Sequence, residues 1–401
     1  MDIRVSVQAA PRDRTSWLDL ARAVEVGGFH ALHAADHPGS SPAPFVALSA
    51  AAAVTERIEL GTCVVNAGVW EPLALASTVA TLDLVSDGRA VLGVSHTPQE
   101  WTSTGRSFPA AGDRVSRMIE LVEATSRLLA GGTTSYAGEH FTLADAVLDG
   151  PRPVRDPIPL LVGGNGRRVL RFAARNADIV GITGLGRMLA DGHRHEVDWS
   201  PAALQETIRM ISAATGLGRP PEMEALVQAV IVTEDTSASA RDLTEYIPGA
   251  SIDDLLSAPF VWIGTVDEIA AKLRRTQETL GISRYVVRPP AMTDARLSST
   301  HSAADERQGA VRSCPASAAG GEVSGCHRIA SRKASTCVRQ SRMGASSGPP
   351  PAPIGRTSKS AGSVGSPFQS IRRHQRKPAL SATRLDAWFS GAIMHNISPS
   401  S

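Results

Sequence analysis

The chain has 401 residues and a net charge of +2, but the charge is divided: residues 298–401 hold 14 Lys and Arg against 4 Asp and Glu, leaving −8 for residues 1–297. The basic residues of the C-terminal stretch are scattered without interleaved aromatics, which sets aside a specific nucleic-acid partner. No run of about 18 apolar residues exists to cross a membrane, and Met1-Asp-Ile-Arg4 puts charge where a secretory signal needs apolar residues, so no membrane role and a cytoplasmic location are expected.

Residues 298–401 are rich in Ser, Arg, Pro, Gly and Ala and show no helical or strand period. Such a segment buries too little apolar surface to offset its chain entropy and reads as a disordered tail. Cys314, Cys326 and Cys337 lie there at spacings too wide for a zinc knuckle, and Cys63 alone falls in residues 1–297. No metal site is expected. Asp191-Gly-His-Arg-His-Glu196 lacks the further ligands a metal would need and reads as solvated surface.

Residues 1–297 alternate between strand and helix patterns. Ile3–Gln8 reads as a strand, followed by a helix with Thr15 as N-cap, an apolar stripe at Trp17, Leu20, Ala21 and Val24, and a stop at Gly27-Gly28. Strands at His30–Ala35 and Ile58–Val65 flank a helix over Phe45–Val54. A helix over Leu73–Leu84, a strand at Ala90–Val94 and a helix carrying Val115, Met118, Ile119 and Val122 come next. After a Pro-rich approach the pattern resumes with strand Leu160–Val162, helix Arg167–Asn176 and strand Asp178–Ile182. Residues 184–222 read as an insertion with one helix, and Val227–Val232 as the seventh strand. Thr265-Val-Asp-Glu268 has capping-box spacing ahead of a helix to Leu280, and Tyr285–Arg288 closes the series. Eight strand candidates alternating with helices predict a (β/α)8 TIM barrel over 1–297, with an insertion after strand 6; a doubly wound open sheet is the other arrangement compatible with the pattern.

Chemistry in such a barrel collects at the carboxyl ends of the strands. There the chain places Asp36-His37-Pro38, Asn66, Ser95-His96-Thr97 and Gly163-Gly-Asn-Gly166. The glycines expose main-chain amides and lead into a helix whose first N–H groups carry the positive end of its dipole, a seat for phosphate; Arg167 and Arg168 add charge that an anion would offset. The same glycines would also serve a tight strand-to-helix turn through positive φ. Asp36-His37 pairs a carboxylate with a group that titrates near neutrality, suited to proton transfer, or equally to capping a turn beside an exposed imidazole. His33 reads as a satisfied structural histidine. Trp70, Trp101 and Trp262 are candidates for walling an apolar pocket, or for ordinary packing.

At these residues the chain resembles the luciferase-like monooxygenase superfamily, in the branch of oxidoreductases that use the deazaflavin coenzyme F420. The likeness is carried by Ala35-Asp-His-Pro38, Ile58-Glu-Leu-Gly-Thr62, Ala80-Thr-Leu-Asp83, Asp87-Gly-Arg89, Leu161-Val-Gly-Gly-Asn-Gly-Arg-Arg-Val-Leu170 and Ile263-Gly-Thr-Val-Asp-Glu268. It implies F420 in the barrel mouth, its phosphate on Gly163, Gly164, Gly166 and Arg167 and its ring against the ends of strands three and four. It also implies a non-prolyl cis peptide at Cys63-Val64 behind the ring, Asn66 at the ring edge, Asp36 bonded to the ring system and His37 handling a proton as hydride passes. One departure stands out: the loop after strand four has Ser95 and Thr97 where the family carries glycines, and Pro98 where sugar-oxidising relatives keep a catalytic glutamate, which leaves Glu100 or His96 as the substitute, or a loop that binds cofactor less tightly.

Three readings follow. The first is an F420-dependent oxidoreductase acting on a small organic substrate, the second an FMN-dependent monooxygenase of the same fold, and the third a barrel that binds a phosphorylated ligand without turnover. The resemblance is compatible with a homodimer.

Overall fold

A computed structural model describes residues 2–96, 105, 107–188, 195–215, 219–244, 247 and 250–288. The tail, Glu100, Trp101 and His193 lie outside the described residues.

Eight parallel strands close on themselves: β1 (Arg4–Gln8), β2 (Ala31–Ala34), β3 (Glu59–Thr62), β5 (Ala90–Ser95), β8 (Leu160–Gly163), β9 (Ile179–Ile182), β12 (Glu222–Leu226) and β15 (Ile282–Val287). β15 returns to pair with β1, Arg284 opposite Arg4, which completes the predicted TIM barrel. Helices α1 (Arg14–Val26), α2 (Pro44–Ala52), α3 (Pro72–Val85), α4 (Ala111–Leu129), α5 (Arg167–Asn176), α6 (Pro201–Thr215), α7 (Thr236–Thr244), α8 (Ile252–Ser257) and α9 (Val266–Leu280) connect the strands. The apolar stripe of α1 buries Trp17, Ala21 and Val24, and the Trp17 indole donates to Ala47 O at 2.8 Å, fixing α1 to α2. None of these helices is long and apolar enough to cross a membrane.

The expected strand Ile58–Val65 is interrupted. A cis peptide joins Cys63 to Val64, and the chain resumes as the short β4 (Val65–Asn66) on β5. At the interruption the Thr62 hydroxyl donates to Gly93 O at 2.9 Å and accepts from Gly93 N at 3.0 Å, so a side chain completes the ladder where the backbone leaves it.

The seventh stave is Glu222–Leu226, not Val227–Val232. Ala229–Val232 (β13) instead pairs with β14 (Val261–Gly264), a strand the hydrophobic pattern did not separate from the helix after it. Glu222 and Glu224 made the true stave look polar. An antiparallel hairpin of β6 (Thr133–Ala137) and β7 (Thr142–Val147) was also hidden, because most of its side chains are exposed. The insertion carries a second hairpin, β10 (Leu185–Met188) with β11 (His195–Val197), beside its predicted helix α6. Asp13, not Thr15, caps α1, its carboxylate accepting from Ser16 N at 2.9 Å. The Thr265–Glu268 capping box is present.

The amino-terminal floor of the barrel explains those glutamates. Arg284, 3% exposed, bonds Glu224 through Nε at 3.2 Å and Glu222 through a terminal nitrogen at 3.0 Å, with Glu59 at 3.6 Å. Glu222 also pairs with Arg4, and Glu59 with Arg155 at 3.1 Å and His30 at 3.0 Å. Burial pulls the Arg284 pKa down, but the three carboxylates outweigh it and hold it above its ordinary value. Burial likewise pushes Glu222 up, and Arg4 with Arg284 bring it below the usual carboxylate range.

His33 is fully buried among these charges, and neither ring nitrogen has a hydrogen-bond partner of ordinary geometry, the Gly61 backbone offering only a weak contact. It fits because residue 61 is glycine, where a Cβ would stand 2.9 Å from Nδ1. Burial lowers its pKa and keeps the ring neutral.

The family-like motif Asp83…Asp87-Gly-Arg89 belongs to the same end. Arg89 donates to Ser86 O, Thr55 Oγ1 and O, Ile58 O and Ala52 O, gathering carbonyls at the end of α2, and Asp83 accepts from Val154 N at 2.7 Å and Arg155 N at 2.8 Å. These residues build the floor rather than a site.

Arg284→Met leaves the buried Glu224 carboxylate without its ion-pair partner, while Glu222 keeps Arg4 and Glu59 keeps Arg155, and is expected to cost about 3–5 kcal/mol, read by urea denaturation at pH 7.5; an unchanged midpoint would refute the role of the cluster. The folded pKa values of Glu222 and His33 are both depressed, so the unfolded chain takes up protons first, and the urea midpoint is expected to fall as pH drops below the ordinary values of 6.5 and 4.5 toward the lowered folded ones.

Candidate active site

The opposite, carboxyl end of the barrel gathers the residues expected there. Asp36 and His37 follow β2, Asn66 ends β4, Ser95 ends β5 with His96 next, and Gly163–Arg167 joins β8 to α5. Because the strands are parallel in one closed sheet, all of them share one rim.

Asp36 is 4% exposed and works as a staple. Its Oδ2 accepts from Asn66 N at 3.2 Å and from the Trp70 indole at 2.6 Å, and its own N–H donates to Val64 O at 3.3 Å. Both sides of β4 are thereby tied to the β2 loop. Trp70 in turn meets the edge of Phe45 at a centroid distance of 5.5 Å, so this tryptophan does stand at the rim. Trp262 does not; it is fully buried, packed on Tyr285.

His37 is half-buried and sits in a tight turn. Its N–H donates to Ser41 Oγ at 2.9 Å, and its carbonyl accepts from Ser40 N at 2.9 Å and Ser41 N at 2.8 Å. The backbone is pinned at the position from which the imidazole projects.

Cys63 and Val64 sit at the cis peptide that the resemblance implied. Gln8, at the end of β1, donates to Cys63 O, while Cys63 N donates to Ala34 O at 2.9 Å. Burial raises the Cys63 thiol well above its usual range, so it stays protonated and is not a nucleophile near neutral pH. The Asn66 side chain is completely buried, and its Oδ1 accepts from Gly68 N at 2.9 Å, closing its own loop.

Ser95 Oγ donates to Gly163 O at 2.8 Å, locking together the ends of the fourth and fifth staves. His96 is half-buried, and burial with the Arg114 charge nearby lowers its pKa, so the ring is neutral at pH 7. Glu100 lies outside the described residues.

The glycines of the fifth stave act through space and not through torsion: none of Gly163, Gly164 and Gly166 has positive φ, contrary to a turn that needs it. A Cβ on Gly164 would stand 2.8 Å from Val169 Cγ1, so the missing side chain lets α5 pack close to β8. Gly166 caps α5 with no side-chain hydrogen bond to the helix start. The first amides of the helix are therefore left for water or an anion. Arg168 is spent on α4, donating to Gly112 O and Ser116 Oγ, whereas Arg167 stays exposed beside the amides. Asn165 spans to the next stave, its Nδ2 donating to Thr183 Oγ1 at 2.5 Å and its Oδ1 accepting from Thr183 N at 3.3 Å.

Sequence reasoning missed Gln8, Thr183, Gln228 and Arg288 at this rim. The rule that found the others, reading the residue at or just past each strand end, applies equally to Gln8 and Arg288.

The sequence profile of luciferase-like monooxygenases matches residues 2–251. The F420-dependent glucose-6-phosphate dehydrogenase of Beutenbergia cavernae is 33% identical over 192 residues, which is 45% of this chain and 56% of that protein. The protein so named from Kineococcus radiotolerans is 31% identical over 170 residues, 40% and 50% of the two chains. The chain thus spans about half the length of these curated relatives. Among solved structures, the coenzyme F420 dependent tetrahydromethanopterin reductase of Methanopyrus kandleri superposes with a TM-score of 0.59 at 19% identity, covering 74% of this chain and 96% of that one. The monooxygenase RslO1 of Streptomyces bottropensis gives 0.57 at 22%, with the same coverage. At these identities the likeness establishes the barrel fold.

Asp36→Ala strips the acceptor from two buried donors and is expected to cost about 2–3 kcal/mol in urea denaturation, with Asp36→Asn recovering part of the loss; an unchanged midpoint in Asp36→Ala would remove the staple.

Proposed function

Because the chain belongs to the luciferase-like monooxygenase family, we propose that it is an F420-dependent oxidoreductase moving hydride between the deazaflavin coenzyme and a small organic substrate. The observation that carries this reading is the uncapped start of α5, beside exposed Arg167, on the same rim as His37. The relatives named as F420-dependent dehydrogenases support the coenzyme.

The residues present fit such a coenzyme. Amides at the start of α5 and the Arg167 guanidinium suit its phosphate; Gly163 and Gly164 place no side chain over that approach. The Cys63-Val64 peptide, held by Gln8 and Ala34, offers a fixed backbone wall for a planar ring. When bound, F420 supplies a carbon, C5, that accepts or returns a hydride.

The chain's own part is to position and to move the proton. A carbinol that loses hydride from carbon must also lose its hydroxyl proton, and a carbonyl that gains hydride must gain one. The His37 imidazole can both take and give a proton, and its turn fixes the backbone from which it does so. Asp36, occupied with Asn66 and Trp70, keeps the loop in register for that transfer rather than contacting the ring, and so acts as a positioning residue. His96, neutral and half-buried, adds a second polar group on the far side of Asn66.

Fluorescence titration distinguishes the coenzymes: F420 binds and FMN does not, and the reverse result overturns the assignment in favour of flavin chemistry. With F420 bound, His37→Ala is expected to lower turnover about 10²–10⁴-fold with coenzyme affinity retained. If wild-type protein binds the coenzyme but neither reduces oxidised F420 with a panel of alcohols nor oxidises reduced F420 with a panel of carbonyls, the barrel is a binding protein.

A further inference from the structure

The last barrel strand ends in Tyr285, Val286 and Val287, all buried, and the next residue is Arg288. Its guanidinium donates to Gln228 Oε1 at 2.6 Å. The Gln228 amide nitrogen is itself turned to Leu226 O at 3.3 Å and Thr183 O at 3.4 Å, so the glutamine is a fixed post presenting its carbonyl to the arginine. Among the described residues, no carboxylate lies within ion-pair distance of Arg288, whereas Arg4, Arg117, Arg155 and Arg284 each face one. Burial depresses the Arg288 pKa.

Arg288 follows β15 at the carboxyl rim, with β1 and β2 between it and the Cys63-Val64 peptide after β3. On the other side β12 and β9 separate β15 from β8, so the guanidinium and the phosphate seat follow different staves of the rim. Among the described residues the rim therefore carries, besides the start of α5, a guanidinium after β15 that faces no carboxylate, and a coenzyme whose phosphate sits at α5 leaves it to a second anion. A desolvated guanidinium without a counter-charge is unfavourable until such a group arrives, and its planar fork has donors beyond the one given to Gln228.

We infer that Arg288, oriented by Gln228, anchors an oxyanion of the substrate, a carboxylate or a phosphate, and so makes anionic compounds the substrate class. The inference rests on the oxidoreductase reading for the word substrate, but the anion site itself does not.

The test uses full-length protein bearing Arg167→Gln, which blunts the phosphate seat of α5. Inorganic phosphate and acetate, each titrated calorimetrically at constant ionic strength, are expected to bind saturably, and the tighter of the two identifies the oxyanion. Adding Arg288→Gln is expected to weaken that binding at least about tenfold; equal affinity in both proteins, or no binding in either, overturns the proposal. Should the doubly substituted protein not fold, Arg288→Lys replaces it, keeping the charge and losing the fork, with a several-fold weakening expected and unchanged affinity counting against. In parallel, Arg288→Gln alone is expected to bind F420 as the wild type does, and a matched loss of F420 affinity would give the arginine to the coenzyme and overturn the substrate assignment. If wild-type protein does not bind F420 while the anion still depends on Arg288, the oxidoreductase reading fails and the anion site stands.

Discussion

Arg284 lies among Glu59 of β3 and Glu222 and Glu224 of β12, two strands far apart in sequence, and it is nearly sealed from water. A parallel barrel has no hairpins to set its register, so each stave must be aligned by what it meets inside. Here charge does that work. One guanidinium on β15 demands that β3 and β12 present their glutamates at its level, and Arg4 extends the demand to β1. Such clusters add little net stability over an apolar core, but they penalise a slipped register heavily, since a slip would strand buried charges.

The two ends of the barrel are therefore opposite in character. At the floor nearly every charge has a partner, and the groups that lack a hydrogen bond, such as the His33 ring, are kept neutral by burial. At the rim the polar groups are held by the backbone: Asp36 on Asn66 and Trp70, Ser95 on Gly163, Asn165 on Thr183, His37 in its own turn. Among the described residues, the groups without an opposite charge at the rim include the start of α5, Arg167 and Arg288. An assembled floor and an unsatisfied rim are what a binding barrel requires, because the energy reserved at one end must not be released by collapse of that end.

Much of this was legible in the sequence. Period and spacing located seven of the eight closing strands at nearly their true positions, and helix α5 was found residue for residue because its apolar face is clean and its start follows glycines. The seventh stave was misread because Glu222 and Glu224 look like solvent-facing residues unless Arg284 is known to lie between them, which no local pattern states. Asp36-His37 and Gly163–Arg167 were correctly placed on one rim, since that follows from strand ends alone. Their individual roles were less legible: Asn66 and Asp36 are consumed by their own loops, and the glycines make room for Val169 instead of adopting left-handed backbone. Orientation of a side chain depends on which donors surround it, and those come from other parts of the chain.

The contact between Gly164 and Val169 has a consequence for how this protein can drift. The direction in which the first turn of α5 aims its amides is set by an apolar contact beneath it, where no ligand reaches. A change in hydrocarbon bulk at residue 169 would tilt the helix without altering any polar group at the mouth, and grip on an anion would weaken or tighten accordingly. Tuning of the pocket is thus available from the interior, through substitutions that a survey confined to ligand-contacting positions would dismiss as silent.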